Sequence, residues 1–160
     1  MRHYLILIAI VVAAVFGSSL ALAAEEVTPT EYRARVEPIC KRNAEANNEI
    51  LKGVQTEVKK GKLVPAGRQL IRAAAALRHT LTQLKAVPRP AADEARLTEW
   101  LRQVGKEADL LEQTGRALKA GQRRRAESLQ ARLYAGARFT NSIVASFSFH
   151  YCRFEPSKYT

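Results

Sequence analysis

The chain has 160 residues, enough for one domain with a real core and too few for two ordinary ones. It carries 26 Lys and Arg against 15 Asp and Glu, a formal net charge of +11, with two cysteines and one methionine. Cysteines 112 positions apart and a lone methionine at position 1 exclude Cys-x-x-Cys chemistry, covalent haem attachment and histidine–methionine haem ligation.

The first 23 residues read as a secretory signal peptide. Arg2 and His3 precede an apolar run from Tyr4 to Phe16, Gly17-Ser18-Ser19 breaks it, and Ala21-Leu22-Ala23 supplies a small-x-small cleavage pattern. An uncleaved anchor is the competing reading, but the run is shorter than the roughly 20 residues of a bilayer-spanning helix. No cysteine follows it as a lipid attachment point. The mature chain, residues 24–160, then holds 25 Lys and Arg and a net charge of +10, since Arg2 leaves with the leader. A secreted or extracytoplasmic protein this basic is biased toward anionic neighbours at the cell envelope, although charge also serves solubility. Cys40 and Cys152 both lie in the exported part, where thiols oxidise, so one disulfide is expected between them.

From residue 29 onward the chain is rich in Ala, Leu, Arg, Glu, Gln and Lys, the best helix formers, and shows almost no alternation until its end. Thr28-Pro29-Thr30-Glu31 is a capping box that opens a first helix over about 29–60, ending at Gly61. Its apolar stripe is Tyr32, Val36, Ile39 or Cys40, Ile50, Val54 and Val58, with Asn43 and Asn47 in the middle positions. A second helix over about 65–86 carries Leu70, Ala74, Leu77, Leu81 and Leu84, spaced four and three apart as in a bundle seam, before Pro88-Arg89-Pro90. A third, over about 92–120, carries Leu97, Leu101, Val104, Ala108, Leu111, Gly115 and Leu118, with Trp100 beside the seam. Glu107, Asp109 and Glu112 fall off that stripe and read as a solvated face. A fourth, over about 122–146, carries Ala126, Leu129, Leu133, Gly136, Thr140, Ile143 and Phe147.

Short connections between helices of similar length imply antiparallel neighbours. The fold class is therefore all-α: an up-down-up-down four-helix bundle whose C-terminal tail is tied to the first helix by a disulfide. Cys152 in a continuous fourth helix would overshoot Cys40 by several turns. The fourth helix is thus expected to stop near Ser146 and Ser146–Phe154 to fold back as an aromatic clasp, with His150 a bystander.

Two candidate sites emerge. The end of the bundle away from the termini collects Lys59, Lys60, Lys62, Arg116, Lys119, Arg123, Arg124 and Arg125. Three arginines in the first turn of a helix oppose its dipole, which argues for an anionic polymer or lipid headgroup as partner. No aromatics are interleaved with these cations, so there is no specific nucleic-acid signal. The second candidate is a mid-bundle layer with Asn43, Asn47 and Thr140 beside small residues. It reads either as a register-fixing polar layer or as a pocket for a small ligand. No catalytic, metal or cofactor motif is present, and His79, two residues from Leu77 and Leu81, is expected to face outward.

The layout resembles small exported helical proteins of unknown function typical of actinobacteria. The resemblance rests on the signal peptide, Ile39-Cys40 in the first helix, the stretch from Leu81 to Pro90, Leu118-Lys119-Ala120-Gly121, and a second cysteine near the C-terminus. It implies an exported bundle and no activity. Such relatives often have an acidic residue after the Gly of the last turn, where this chain has Gln122 and three arginines. The expected role is a non-catalytic interaction or structural module at the envelope, with a small-ligand carrier as the alternative and an enzyme of unrecognised type third.

Overall fold

A computed structural model describes residues 26–156 of the chain. The signal peptide expected over residues 1–23 and the last four residues lie outside them. Five α-helices follow in order: α1, Pro29–Ile50; α2, Val54–Lys59; α3, Leu63–Lys85; α4, Glu94–Lys119; and α5, Arg123–Ser146. A 3₁₀ turn, Ala91–Asp93, precedes α4. The bundle is four-helical because α1 and α2 together form its first column. None of these helices is long and apolar enough to cross a membrane.

The Thr28–Glu31 capping box forms in full. The Thr28 hydroxyl accepts from the Glu31 amide at 3.2 Å, and the Glu31 carboxylate accepts from the Thr28 amide at 2.8 Å. The first column departs from the expected single helix over 29–60. It breaks at Leu51–Gly53, where Gly53 has φ +78° in the left-handed region that glycine occupies without a steric penalty. The break rotates the stripe, burying Leu51 with Val54 while Ile50 is only half-buried. The second helix starts at Leu63 rather than Pro65. Pro65 sits in its first turn, where a missing N–H leaves no helical bond unmade.

All the expected seam residues of α3 and α4 are buried, from Leu70 to Leu84 and from Leu97 to Leu118. The two helices cross in close contact at Gly67 and Gly115. A Cβ at Gly67 would lie 2.4 Å from the Gly115 carbonyl oxygen, and one at Gly115 would lie 2.6 Å from that of Gly67. On the outer side of this seam Arg78 of α3 pairs with Asp109 at 2.9 Å and with Glu112 at 2.5 Å, and Glu112 also pairs with Arg116.

Helix α4 is central. It packs on α3 on one side and α5 on the other, and α1 packs on α3, whereas α1 and α5 make no comparable contact. The α1–α5 side is covered instead by the chain after α5. The disulfide Cys40–Cys152 joins that tail to α1 across 112 positions. The Glu37 carboxylate accepts from the backbone amides of His150 and Tyr151, and the Asn141 amide exchanges hydrogen bonds with the Phe154 backbone at 2.8 and 2.9 Å. Phe149 is buried against Tyr32, Trp100 and Phe147. The expected clasp is thus present, and α5 ends at Ser146.

Candidate functional site: a polar cavity under the tail

A cavity of about 110 Å³ lies where α1 and α5 fail to meet. Its inner wall comprises Leu77, Thr80 and Leu84 of α3, Trp100, Val104 and Glu107 of α4, and Thr140 of α5. Asn43, Ala44 and Asn47 of α1 close one side. The tail, Tyr151 to Glu155, forms the outer wall, where exposed Asn48, Tyr151, Arg153 and Glu155 bring it to the surface. The volume equals roughly three or four waters at their share of liquid volume, about 30 Å³ each.

The three residues expected of a mid-bundle pocket all line it. Thr140 is 1% exposed and Asn47 4%, while Asn43 is half-buried. The Asn43 carbonyl oxygen accepts from Thr80 Oγ1 at 3.1 Å and from Asn47 Nδ2 at 3.3 Å. A pure register layer would satisfy both amides internally. Asn47 Oδ1, however, is buried with no hydrogen-bond partner among the described residues, as is Trp100 Nε1. Buried polar atoms are seldom left this way, because each unmade bond costs about 1–3 kcal/mol.

The reading of Glu107 as part of a solvated face is overturned: Glu107 is 2% exposed. Trp100, expected beside the seam, is 1% exposed. The reason is the central place of α4. A helix packed on two sides buries a second stripe beside the first, here Trp100, Glu107 and Thr114 at intervals of seven. That heptad spacing is the signal in the sequence that points to Glu107. Asp109 keeps to the exposed face, as expected, with Glu112 half-buried beside it.

Glu107 Oε1 lies 2.6 Å from the Thr140 hydroxyl, which is also 3.0 Å from the Gly136 carbonyl one turn back. Among the described residues no lysine or arginine pairs with the carboxyl, and burial pushes its pKa up from 4.5 to about 7, against a smaller lowering by the Thr140 hydroxyl. The single proton on the Thr140 hydroxyl makes this a two-state relay. With Glu107 neutral, the carboxyl donates to Thr140 and Thr140 donates to Gly136. With Glu107 ionised, Thr140 turns its proton to the carboxylate.

The basic end has a different character. Lys59, Lys60, Lys62, Arg116, Lys119, Arg123, Arg124 and Arg125 are all exposed, and Arg116 is engaged by Glu112. The N-terminus of α5 has no side-chain cap and no acidic residue in its first turn. Between α2 and α5 lies an apolar slot of about 150 Å³, lined by Val54, Val58, Leu70, Leu118 and Ala126, with Lys59 and Arg123 on its rim.

Among the described residues no cluster of three or more His, Cys, Asp or Glu is arranged to hold a metal. His79 is exposed and shares a 3.2 Å contact with Gln83, and His150 is exposed with its ring against Tyr151. No protein-family model matches the chain, and no curated protein or solved structure is significantly similar to it.

Proposed function

We propose that this chain is an exported, non-catalytic helical bundle that carries a small polar ligand in the cavity between α1, α5 and the tail. The observation that carries this reading is a mid-bundle space lined by a buried carboxyl and a buried amide oxygen, neither of which finds a full set of partners in the protein. A layer kept only for register has no use for such a space. Oxidised Cys40 and Cys152 accord with an extracytoplasmic setting, because cytosolic thiols are normally kept reduced.

Trp100 is the only tryptophan and lines the cavity, so its fluorescence reports occupancy directly. Native mass spectrometry of the exported protein, followed by a fluorescence screen of small polar compounds, is expected to give saturable binding. Ala44→Leu fills the cavity from α1 and is expected to abolish that binding without lowering stability. Equal binding by this variant, or a screen without saturable ligands, contradicts the reading.

The apolar slot beside Lys59 and Arg123 favours a second reading for the other end, adhesion to an anionic lipid surface. Replacing Arg123, Arg124 and Arg125 by Gln is expected to abolish salt-sensitive binding to phosphatidylglycerol vesicles. Unchanged vesicle binding removes it.

A further inference from the structure

The ligand's chemical class follows from the lining, granted the carrier reading above. Two acceptors are left for a ligand. Glu107 Oε2 has no hydrogen-bond donor among the described residues, and Asn47 Oδ1 is buried and unpartnered. The Asn43 side-chain oxygen lies beside them, but Thr80 and Asn47 already donate to its two lone pairs. One donor stands with them, the Trp100 indole N–H, buried without a partner among the described residues, while the Thr80 and Thr140 hydroxyls are engaged with Asn43 and Glu107. Two free acceptors, one of them a carboxylate oxygen, facing a space of three or four water-sized units, suit a compact group with N–H donors and a positive charge. An anion would face the Glu107 carboxyl, and the arginine on the lining, Arg153, stands at the exposed mouth.

We propose that the cavity binds a small alkylammonium cation, with Glu107 as its counter-ion and Asn47 Oδ1 as a second acceptor.

Binding is then an exchange of cations. The neutral Glu107 carboxyl loses its proton to solvent, the ammonium takes its place, and the Thr140 proton turns from the Gly136 carbonyl to the carboxylate. Charge is conserved inside the cavity, which avoids the heavy cost of an unpaired buried ion. The neutral form that precedes binding is also the one burial favours below pH 7. Facing Glu107 across the cavity, α1 supplies Asn43, Ala44, Asn47, Asn48 and the disulfide-bonded Cys40, none of them charged, α3 supplies Thr80 with Leu77 and Leu84, and α5 supplies Thr140. The tail supplies Tyr151, Arg153 and Glu155, all at the exposed mouth. Arg123 to Arg125 stand about 25 Å along α5 from Thr140, beyond a screening length of about 10 Å at 0.1 M salt.

The test uses ethylammonium chloride as probe, with ethanol and sodium acetate at matched ionic strength, read by Trp100 fluorescence and by calorimetry. A three-heavy-atom cation reaches a dissociation constant of roughly 0.5 mM at best, so the titration runs into the tens of millimolar. Ethylammonium is expected to saturate the signal, and Glu107→Gln to weaken it at least tenfold, while Glu99→Gln, a half-buried acid on the same helix that is paired with Arg102 and does not line the cavity, leaves it unchanged. At pH 6, calorimetry in buffers of different ionisation heat is expected to show most of one proton released per cation bound. Saturation by acetate or ethanol but not by ethylammonium, with loss in Ala44→Leu, would overturn the cation inference and leave the carrier reading standing. No saturable response to any of the three, nor to the wider screen, sinks both. Ethylammonium binding that survives Glu107→Gln, or that releases no proton, also overturns the inference.

Discussion

The α3–α4 seam and the α1–α5 side of the same bundle are built on opposite principles. Along α3–α4, leucines alternate with alanines and the backbones touch at Gly67 and Gly115, so nothing fits between the helices. Along α1–α5 the facing residues are Asn43, Asn47 and Thr140, the helices stay apart, and a disulfide-tethered tail covers the gap. One side holds the fold and the other holds a space. The difference teaches that the tail is part of the bundle's fourth wall, because without it the aromatic core around Phe149 and the cavity would both lie open.

The largest effect is expected from removing that wall's tether. Replacing Cys40 and Cys152 together by Ser opens a loop of 112 positions, for which the chain-entropy account gives about 4–5 kcal/mol of lost stability. Guanidinium unfolding measures it. A loss below about 1 kcal/mol would mean that the tail's other ties, from Glu37, Asn141 and Phe149, suffice. Next comes the pH dependence set by Glu107. Its folded pKa of about 7 exceeds the 4.5 of the unfolded chain, so between these values the native state binds more protons. Stability is therefore expected to fall as pH rises from 4.5 to 7, by about 3 kcal/mol, and to level off above. Glu107→Gln is expected to lack this step. Parallel pH profiles for the two proteins would contradict the burial of an unpaired carboxyl.

Glycine substitutions at the α3–α4 contact and beside Glu107 sharpen the contrast at smaller scale. Gly115→Ala drives a methyl against the α3 backbone and is expected to cost about 1–3 kcal/mol. Gly136→Ala meets nothing nearer than Glu107 Cγ at 4.0 Å and is expected to gain about 0.5–1 kcal/mol from helix propensity. Equal effects from thermal unfolding of the two variants would erase the distinction between closed and open seams. The basic end comes last, with an effect that salt weakens. Relieving the first turn of α5 with Gln at positions 123, 124 and 125 is expected to stabilise by about 1 kcal/mol at low salt and less at high salt.

Helix content, the closed seam and the clasp were legible in sequence because each rests on local or pairwise signals: the Thr28 capping box, the four-three spacing of leucines in α3, the tail length set by two cysteines. The break at Gly53 was not, because Ile50, Val54 and Val58 continue a helical period across it and a lone glycine interrupts a helix only when packing favours the turn. Asn43, Asn47 and Thr140 were legible as polar residues on otherwise apolar stripes. Glu107 was hidden for the opposite reason. On α4 alone it lies off the seam, and only the packing of α4 between α3 and α5 turns its heptad partners Trp100 and Thr114 inward.

The most direct measurement is a carbon-13 NMR titration of the Glu107 carboxyl, with and without ethylammonium. The account expects a midpoint near 7 in the free protein and a clearly lower one with the cation present. A midpoint in the ordinary carboxylate range, unmoved by ethylammonium, would contradict it.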